Sequence, residues 1–97
     1  MTVTKTVNDI TVTLAVEGRV DTTTAPDLDK EIKALDEPNL ILDFEKLEYI
    51  SSAGLRVLLA AQKSYKARAG KMIVKNVNDD VNEVFEITGF TDILTIE

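Results

Sequence analysis

The stretch Tyr49–Leu59, "YISSAGLRVLL", places two adjacent serines and a glycine in front of an apolar run. The leucines recur at helical spacing, so the run predicts an amphipathic helix that begins at the serine pair. A serine oxygen can accept a hydrogen bond from a free amide in the first turn of a helix, and capping is therefore the simplest role for such a serine. One cap requires one hydroxyl, which leaves the second serine as a candidate for another role.

The segments on either side of this helix predict strands. "LILDF" precedes it as a continuous apolar run, of the kind that is usually central in a sheet and covered on both faces. Gly70 is expected to end the helix, and "KMIVKNV" then predicts another strand. "ILTI" predicts the last strand. Between these two, "NDDVNEVFEITG" predicts a short helix with an asparagine cap, Gly89 at its end, and three buried side chains, Val81, Val84 and Phe85.

The N-terminal segment predicts a β-hairpin. "TVTKTV" and "ITVTLAV" are runs rich in β-branched residues, separated by the turn signal "ND". Gly18 is expected to end the second strand. The alternation along that strand predicts four side chains that face the core, namely Ile10, Val12, Leu14 and Val16.

A helix is predicted for "TAPDLDKEIKAL", where Thr24 and Asp27 resemble a capping pair and Leu28, Ile32 and Leu35 recur at helical spacing. The element order is then β-β-α-β-α-β-α-β. Strands that alternate with helices imply parallel pairing through right-handed crossovers. We therefore expect one domain over residues 1–97, of the α/β class. Its mixed sheet of about five strands opens with a hairpin, continues with parallel crossovers and carries about three helices.

This topology predicts where a functional surface lies. Loops that follow parallel strands emerge at the same edge of a sheet, where such folds usually bind their ligands. The loops "GRVDTTT", "EKLEYISS" and "NVNDD" should therefore converge. Asp21, Ser51, Ser52 and Asn78 are expected to be neighbours on one surface.

Charge and hydropathy exclude several classes of protein. The net charge is −6 and the basic residues are scattered, which argues against direct binding of nucleic acid. Residues 1–20 lack the pattern of a signal peptide, and no window approaches the roughly 18 apolar residues of a membrane span. We expect a cytoplasmic protein.

The chain contains neither histidine nor cysteine. These absences exclude Ser-His and Cys-His nucleophilic systems and ordinary zinc sites. No Gly-rich phosphate loop of the Gly-x-x-x-x-Gly-Lys type is present either. We therefore expect no enzymatic activity, no cofactor and no metal, and a serine at an exposed helix start that a second protein modifies.

The segment "DFEKLEYISSAGLRVLL" resembles the signature segment of STAS domains, in particular those of the bacterial anti-sigma factor antagonists. In that family the helix start typically reads Asp-Ser-Ser-Gly-Leu or Ser-Ser-Ala-Gly-Leu after a buried strand. The similarity extends over essentially the whole chain. "GRVDTTTAPDL" stands in place of the family's Gly-x-Leu-Asp-x-x-x-Ala region, and "FEITGFTDILTI" resembles its Phe-x-x-x-Gly-Leu ending.

The resemblance implies a regulatory binding protein that is switched by phosphorylation. In the family, the partner anti-sigma factor is a serine kinase that phosphorylates a serine at the start of the second helix, and a serine phosphatase is a further expected partner. Aligned on the glycine, the phosphoacceptor is Ser52; Ser51 replaces the family's usual aspartate and is the alternative acceptor. The expected partner contacts are Asp21, Thr22, Ser51, Ser52, Ala53, Gly54 and Arg56.

The unmodified protein is then expected to bind the anti-sigma factor and free the sigma factor, and the phosphorylated form to let go. A phosphate at a helix N-terminus is favoured by the helix dipole, so the switch should act at the surface and not on the fold. Arg56, one turn after Ser52, and Arg19, in a converging loop, are expected to neutralise part of the phosphate charge.

Several alternatives stay open at this point. The chain also fits a STAS interaction subunit of a transporter or of a stress-signalling complex. Asp21 has a simpler role as a loop acid or a cap, and Gly54 has one in close helix packing. Asp43 stands where receiver domains carry a phosphorylated aspartate, but the acidic pair that such domains need after the first strand is missing.

Overall fold

The computed structural model describes residues 1–97. It contains six strands and three α-helices, one strand more than the sequence predicts. The elements in chain order are β1 (Thr2–Asn8), β2 (Thr11–Val20), α1 (Ala25–Lys33), β3 (Asn39–Asp43), β4 (Leu47–Ile50), α2 (Ser52–Ala67), β5 (Lys71–Lys75), α3 (Asp79–Thr88), a 3₁₀ turn (Phe90–Asp92) and β6 (Thr95–Ile96).

The six strands form one mixed sheet in the order β1-β2-β3-β5-β6, and β4 pairs with β2 beside this path. β1 and β2 form the antiparallel hairpin, and all other pairs are parallel. The predicted fold class, a hairpin followed by parallel crossovers, is confirmed.

β4 is the unpredicted strand, and it exists because β2 is longer than expected. Gly18 does not end β2, which continues to Val20. The register shifts between Gly18 and Arg19, and Gly18 adopts a φ of +89° that few other residues tolerate. The first part of β2 therefore pairs with β3, and the part after the bulge pairs with β4.

The core lies on one face of the sheet. Val12, Leu14 and Val16 are fully buried, as predicted, but Ile10 is 55% exposed, so its predicted place in the core is wrong. Ile10 lies in the hairpin turn after Asp9, whose left-handed φ of +58° ends the alternation of the strand.

β3 is central in the sheet but is not covered on both faces. Leu40 and Leu42 are buried, whereas Ile41 between them is only half-buried. β2 and β5 show the same alternation, so the helices cover one face and leave the other open. The prediction that β3 is covered on both faces is therefore wrong.

The helices bury most of the side chains that their spacing indicated. Leu28, Ile32 and Leu35 are buried, as are Leu55, Leu58 and Tyr65 on α2; α1 and α2 pack against each other. Val81 and Phe85 of α3 are buried, but Val84 is only half-buried, so that part of the prediction is wrong. The asparagine cap of α3 and the left-handed Gly89 at its end are confirmed.

Candidate functional site

The ends of β2 and β4 bring Asp21 and Ser51 side by side. Val20 and Ile50 are register partners, and the amide of Ser51 donates a 2.8 Å hydrogen bond to the carbonyl of Val20. Two loops that are about 30 positions apart in the sequence therefore meet at this edge of the sheet, as expected for parallel strands.

Asn78 lies elsewhere, at the other end of β4. Its Nδ2 donates a 2.7 Å hydrogen bond to the carbonyl of Leu47, the first residue of β4, and its Oδ1 accepts one of 2.8 Å from the amide of Val81. Asn78 thus caps α3 and ties it to β4. The prediction that places Asn78 beside the serine pair is wrong, because the unpredicted strand β4 separates the two.

The two serines have different environments. Ser51 is the N-cap of α2, and its Oγ accepts a 3.3 Å hydrogen bond from the amide of Gly54. Ser52 is the first residue of the helix and is exposed, with its hydroxyl in none of the protein's side-chain hydrogen bonds. One hydroxyl caps the helix and the other faces solvent.

The next two residues, Ala53 and Gly54, turn towards the core. Ala53 is half-buried and packs against the core, and Gly54 is buried. A Cβ built on Gly54 would lie 2.6 Å from Cγ1 of Ile50 and 2.8 Å from Cγ1 of Val20, far inside van der Waals contact. This geometry favours the packing role for Gly54 over direct contact with a partner.

Asp21 organises the loop between β2 and α1. Its Oδ1 accepts hydrogen bonds from the Thr23 hydroxyl at 2.7 Å, the Thr23 amide at 3.0 Å and the Thr24 amide at 3.1 Å. The hydroxyl of Thr23, followed by the amide of Thr24, lowers the pKa of Asp21 from 3.8 to about 2, so the carboxylate is ionised at neutral pH.

The predicted capping pair of α1 is wrong in detail. Thr24 occupies the N-cap position, but its hydroxyl makes no cap bond to the helix and Asp27 does not pair with it. The hydroxyl instead accepts a 2.8 Å hydrogen bond from the amide of Asp21 and lies 3.1 Å from both the Arg19 carbonyl and Asp21 Oδ1. Thr22, between these residues, is exposed.

Two exposed arginines lie on α2 and β2, the elements that carry or adjoin the serine pair. Arg56 is exposed one turn after Ser52 on α2. Arg19 stacks on the ring of Tyr49, with its guanidinium carbon 4.4 Å from the ring centre. The sequence analysis did not find Tyr49, because only the pairing of β2 with β4 brings these two side chains together.

Surface depressions lie away from this site. One of them, of about 140 Å³, is a groove between α1 and α2 lined by residues such as Ile32, Ala61 and Tyr65. None of the depressions is lined by Asp21, Ser51 or Ser52. The candidate site therefore lies outside these depressions. No cluster of three or more carboxylates is placed to hold a metal ion. None of the helices has the length and apolar character that a membrane span requires.

Comparison with known families agrees with this geometry. The STAS domain family matches residues 2–97. The chain belongs to the STAS domain family. BtrV of Bordetella bronchiseptica, whose name assigns it provisionally to the anti-sigma factor antagonists, is 37% identical over 84 residues, which are 84% of this chain and 72% of BtrV. The anti-sigma-B factor antagonist of Bacillus subtilis is 32% identical over 91 residues, 92% of this chain and 82% of that protein.

Solved structures show the same fold. The anti-sigma factor antagonist SpoIIAA in its unphosphorylated form superposes with a TM-score of 0.82 at 22% identity, over 99% of this STAS chain and 88% of SpoIIAA. The phosphorylated form of SpoIIAA from Bacillus superposes with a TM-score of 0.78 at 21% identity, over 99% and 91% of the two chains. The STAS architecture of the sheet and helices is thus confirmed.

Proposed function

We propose that this STAS protein is an anti-sigma factor antagonist, switched by phosphorylation at Ser52. In this proposal the unmodified protein binds an anti-sigma factor that is a serine kinase, and the sigma factor is released. The observation that carries the proposal is that the two serine hydroxyls differ in hydrogen bonding and exposure. Ser51 caps α2, whereas Ser52 presents a free hydroxyl beside the Asp21 loop.

The chemistry of the switch comes from the partner. The γ-phosphoryl group of ATP is transferred to Oγ of Ser52, the hydroxyl proton leaves to a base of the kinase, and ADP is the leaving group. This chain contains no histidine to activate the hydroxyl. The proposed part of this chain is that of the phosphoacceptor, and a serine phosphatase reverses the modification.

Phosphorylation is expected to change the surface and to leave the fold intact. Ser52 is the first residue of α2, where free amides and the helix dipole favour an anion. The phosphate carries about 1.5 to 2 negative charges at neutral pH. The neighbouring loop carries Asp21, whose carboxylate is ionised at neutral pH. A partner surface that fits a hydroxyl beside one carboxylate then meets added bulk and like charge.

In the proposed role the protein regulates transcription only by binding other proteins. It requires no binding of DNA by the chain itself, in agreement with the net charge of −6, and it implies action in the cytoplasm. Family relationship supports the proposal, because relatives more than 30% identical are named anti-sigma-B factor antagonists.

The test is to capture the tightest-binding protein from the native cell extract with immobilised wild-type protein, and to incubate the purified pair with ATP. Mass spectrometry is expected to locate one phosphate on Ser52. The Ser52→Ala variant should stay unmodified, and the Ser51→Ala variant should still be phosphorylated.

Binding of two Ser52 variants completes the test. Ser52→Asp is expected to bind the captured kinase more weakly than Ser52→Ala. Equal affinities, or a phosphate on Ser51 alone, would contradict the switch at Ser52. A tightest-binding partner without kinase activity would instead favour a STAS subunit of a transporter or stress-signalling complex.

A further inference from the structure

A second exposed feature lies on the two strands that lead to the proposed phosphorylation site. Arg19 and Tyr49 are register partners at the ends of β2 and β4, and the guanidinium carbon of Arg19 lies 4.4 Å from the centre of the Tyr49 ring. Arg19 is exposed, and Tyr49 is 40% exposed although it is a large aromatic residue. An arginine over a tyrosine ring is held by attraction between its cation and the ring face.

The guanidinium of Arg19 has no acidic partner in the protein. The two ion pairs join Lys33 to Asp29 and Lys46 to Glu17, and the side-chain hydrogen bonds use only the backbone carbonyl of Arg19. Its planar set of N–H donors therefore remains available. Such a fork matches the two oxygens of a carboxylate.

The pair is continuous with the proposed phosphorylation surface. Arg19 is two residues before Asp21, and Tyr49 is three residues before Ser52. At the rise of an extended chain, three residues span at most about 10 Å. The hydrogen bond from the Ser51 amide to the Val20 carbonyl holds the two chain segments together, so the backbone of the pair stays within that distance of the proposed switch.

We infer that Arg19 and Tyr49 form a second contact for the same partner, in which Arg19 binds a carboxylate on an acidic patch of the kinase. This inference rests on the proposed function. Arginine and tyrosine are, with tryptophan, the residue types enriched among those that carry binding energy at protein interfaces. The chain as a whole is acidic, with a net charge of −6, so an arginine without an acidic partner selects among binding proteins by the acidic group opposite it.

Tyr49 acts as a positioning residue in this contact. A free arginine side chain loses rotamer freedom when it binds, and stacking on a ring restricts it beforehand. Replacing the ring by an aliphatic side chain removes that restriction and leaves Arg19 in place. Loss of affinity in Tyr49→Leu should therefore depend on the presence of Arg19.

The experiment measures the affinity of Arg19→Ala, Tyr49→Leu and Tyr49→Phe for the purified kinase captured by wild-type protein, by isothermal titration calorimetry. Arg68→Ala is the matched control, because Arg68 also stacks on a tyrosine, Tyr65, at 4.2 Å, but at the far end of α2. We expect Arg19→Ala to weaken binding by about thirtyfold, as for an interface hot spot, and Arg68→Ala to have little effect. Tyr49→Phe should bind nearly as tightly as wild type.

A double variant and a salt series separate positioning from structure. Arg19→Ala with Tyr49→Leu should bind no more weakly than Arg19→Ala alone, and the affinity of Arg19→Ala should depend less on salt. Melting temperatures should stay unchanged in these variants. If the kinase binds and responds to Ser52→Asp while Arg19→Ala matches Arg68→Ala, this inference fails and the proposed function stands. If no kinase binds the wild-type protein, both fail.

Discussion

The amide of Ser51 donates a 2.8 Å hydrogen bond to the carbonyl of Val20. This bond continues the parallel pairing of β2 with β4 by one residue beyond the last register pair, Val20 and Ile50. It holds the loop that carries Asp21 against the start of the helix that carries Ser52. Because the bond uses backbone atoms, the placement of the proposed switch does not depend on the side chains that a partner reads.

Replacement of Ser51 by alanine is expected to lower stability while leaving phosphorylation in place. The variant loses the oxygen that accepts the amide of Gly54, and the loss of an N-cap costs about 1 kcal/mol. Urea denaturation followed by circular dichroism measures the free energy of unfolding. Ser52→Ala serves as the control and should change stability by no more than about 0.5 kcal/mol. Equal destabilisation by both variants would contradict the assignment of the cap to Ser51.

Substitution of Gly54 by alanine is expected to destabilise the protein by about 1 to 3 kcal/mol through overpacking. The added methyl group would lie 2.6 Å from Ile50 and 2.8 Å from Val20. Thermal unfolding of the variant and of the wild-type protein measures this loss of stability. Combining the substitution with Ile50→Ala should cost less than the sum of the two separate effects, because the second change makes room for the methyl group.

A simple additive result for that pair would argue against a steric origin. Gly89→Ala is the matched glycine control, since it has no atom within 4 Å of the added Cβ and a φ of +79°. Its cost should arise from the left-handed backbone alone, at about 1 to 2 kcal/mol, and should not respond to Ile50→Ala.

Asp21 is expected to make the free energy of unfolding depend on pH in the acidic range. Its pKa is lowered from 3.8 to about 2 in the folded protein, so the folded state favours the ionised form. The contribution of Asp21 to stability is therefore fully present above pH 3.8 and is lost as pH falls through about 2. Carboxyl chemical shifts in an NMR titration measure this pKa directly.

The Thr23→Ala variant tests the cause of that shift. The Thr23 hydroxyl, 2.7 Å from Asp21 Oδ1, contributes most to the low pKa. Its removal should move the pKa of Asp21 upward, towards 3.8, without reversing the direction of the shift. An unchanged pKa would show that the Thr23 hydroxyl is not the main cause of the shift. Asp21→Asn should lose the part of the pH dependence of stability that Asp21 contributes between pH 3.8 and about 2.

Loss of the Asn78 side chain is expected to destabilise α3 and leave kinase binding intact. Asn78→Ala removes both the cap on Val81 and the bond to Leu47, each worth about 1 kcal/mol. Asn82→Ala is the matched control, because Asn82 bonds only to Glu86 on the helix surface. We expect Asn78→Ala to be clearly less stable than Asn82→Ala. If Asn78→Ala lost affinity for the kinase as well as stability, the placement of Asn78 away from Ser52 would be contradicted.

The sequence by itself determined the fold class and the identity of the candidate switch. Alternation in β2, helical spacing in the three helices and the asparagine cap of α3 are local signals, and the structure reproduces them. The serine pair before a glycine and an apolar run is likewise local and marked the helix start, and the resemblance to STAS domains then pointed to Ser52, with Ser51 as the alternative. These features were predictable because each depends on residues within a few positions of one another.

The tertiary structure alone decided which side chains surround that serine. β4 has the burial pattern of two buried ends with exposed residues between them, so it lacks the alternation that marks a strand, and its pairing with β2 depends on the left-handed Gly18. Without β4, neither the stack of Arg19 on Tyr49 nor the separation of Asn78 from Ser52 can be foreseen. The physical reason is that strand pairing between distant segments is set by packing and bulges across the whole sheet, which no short stretch of sequence records.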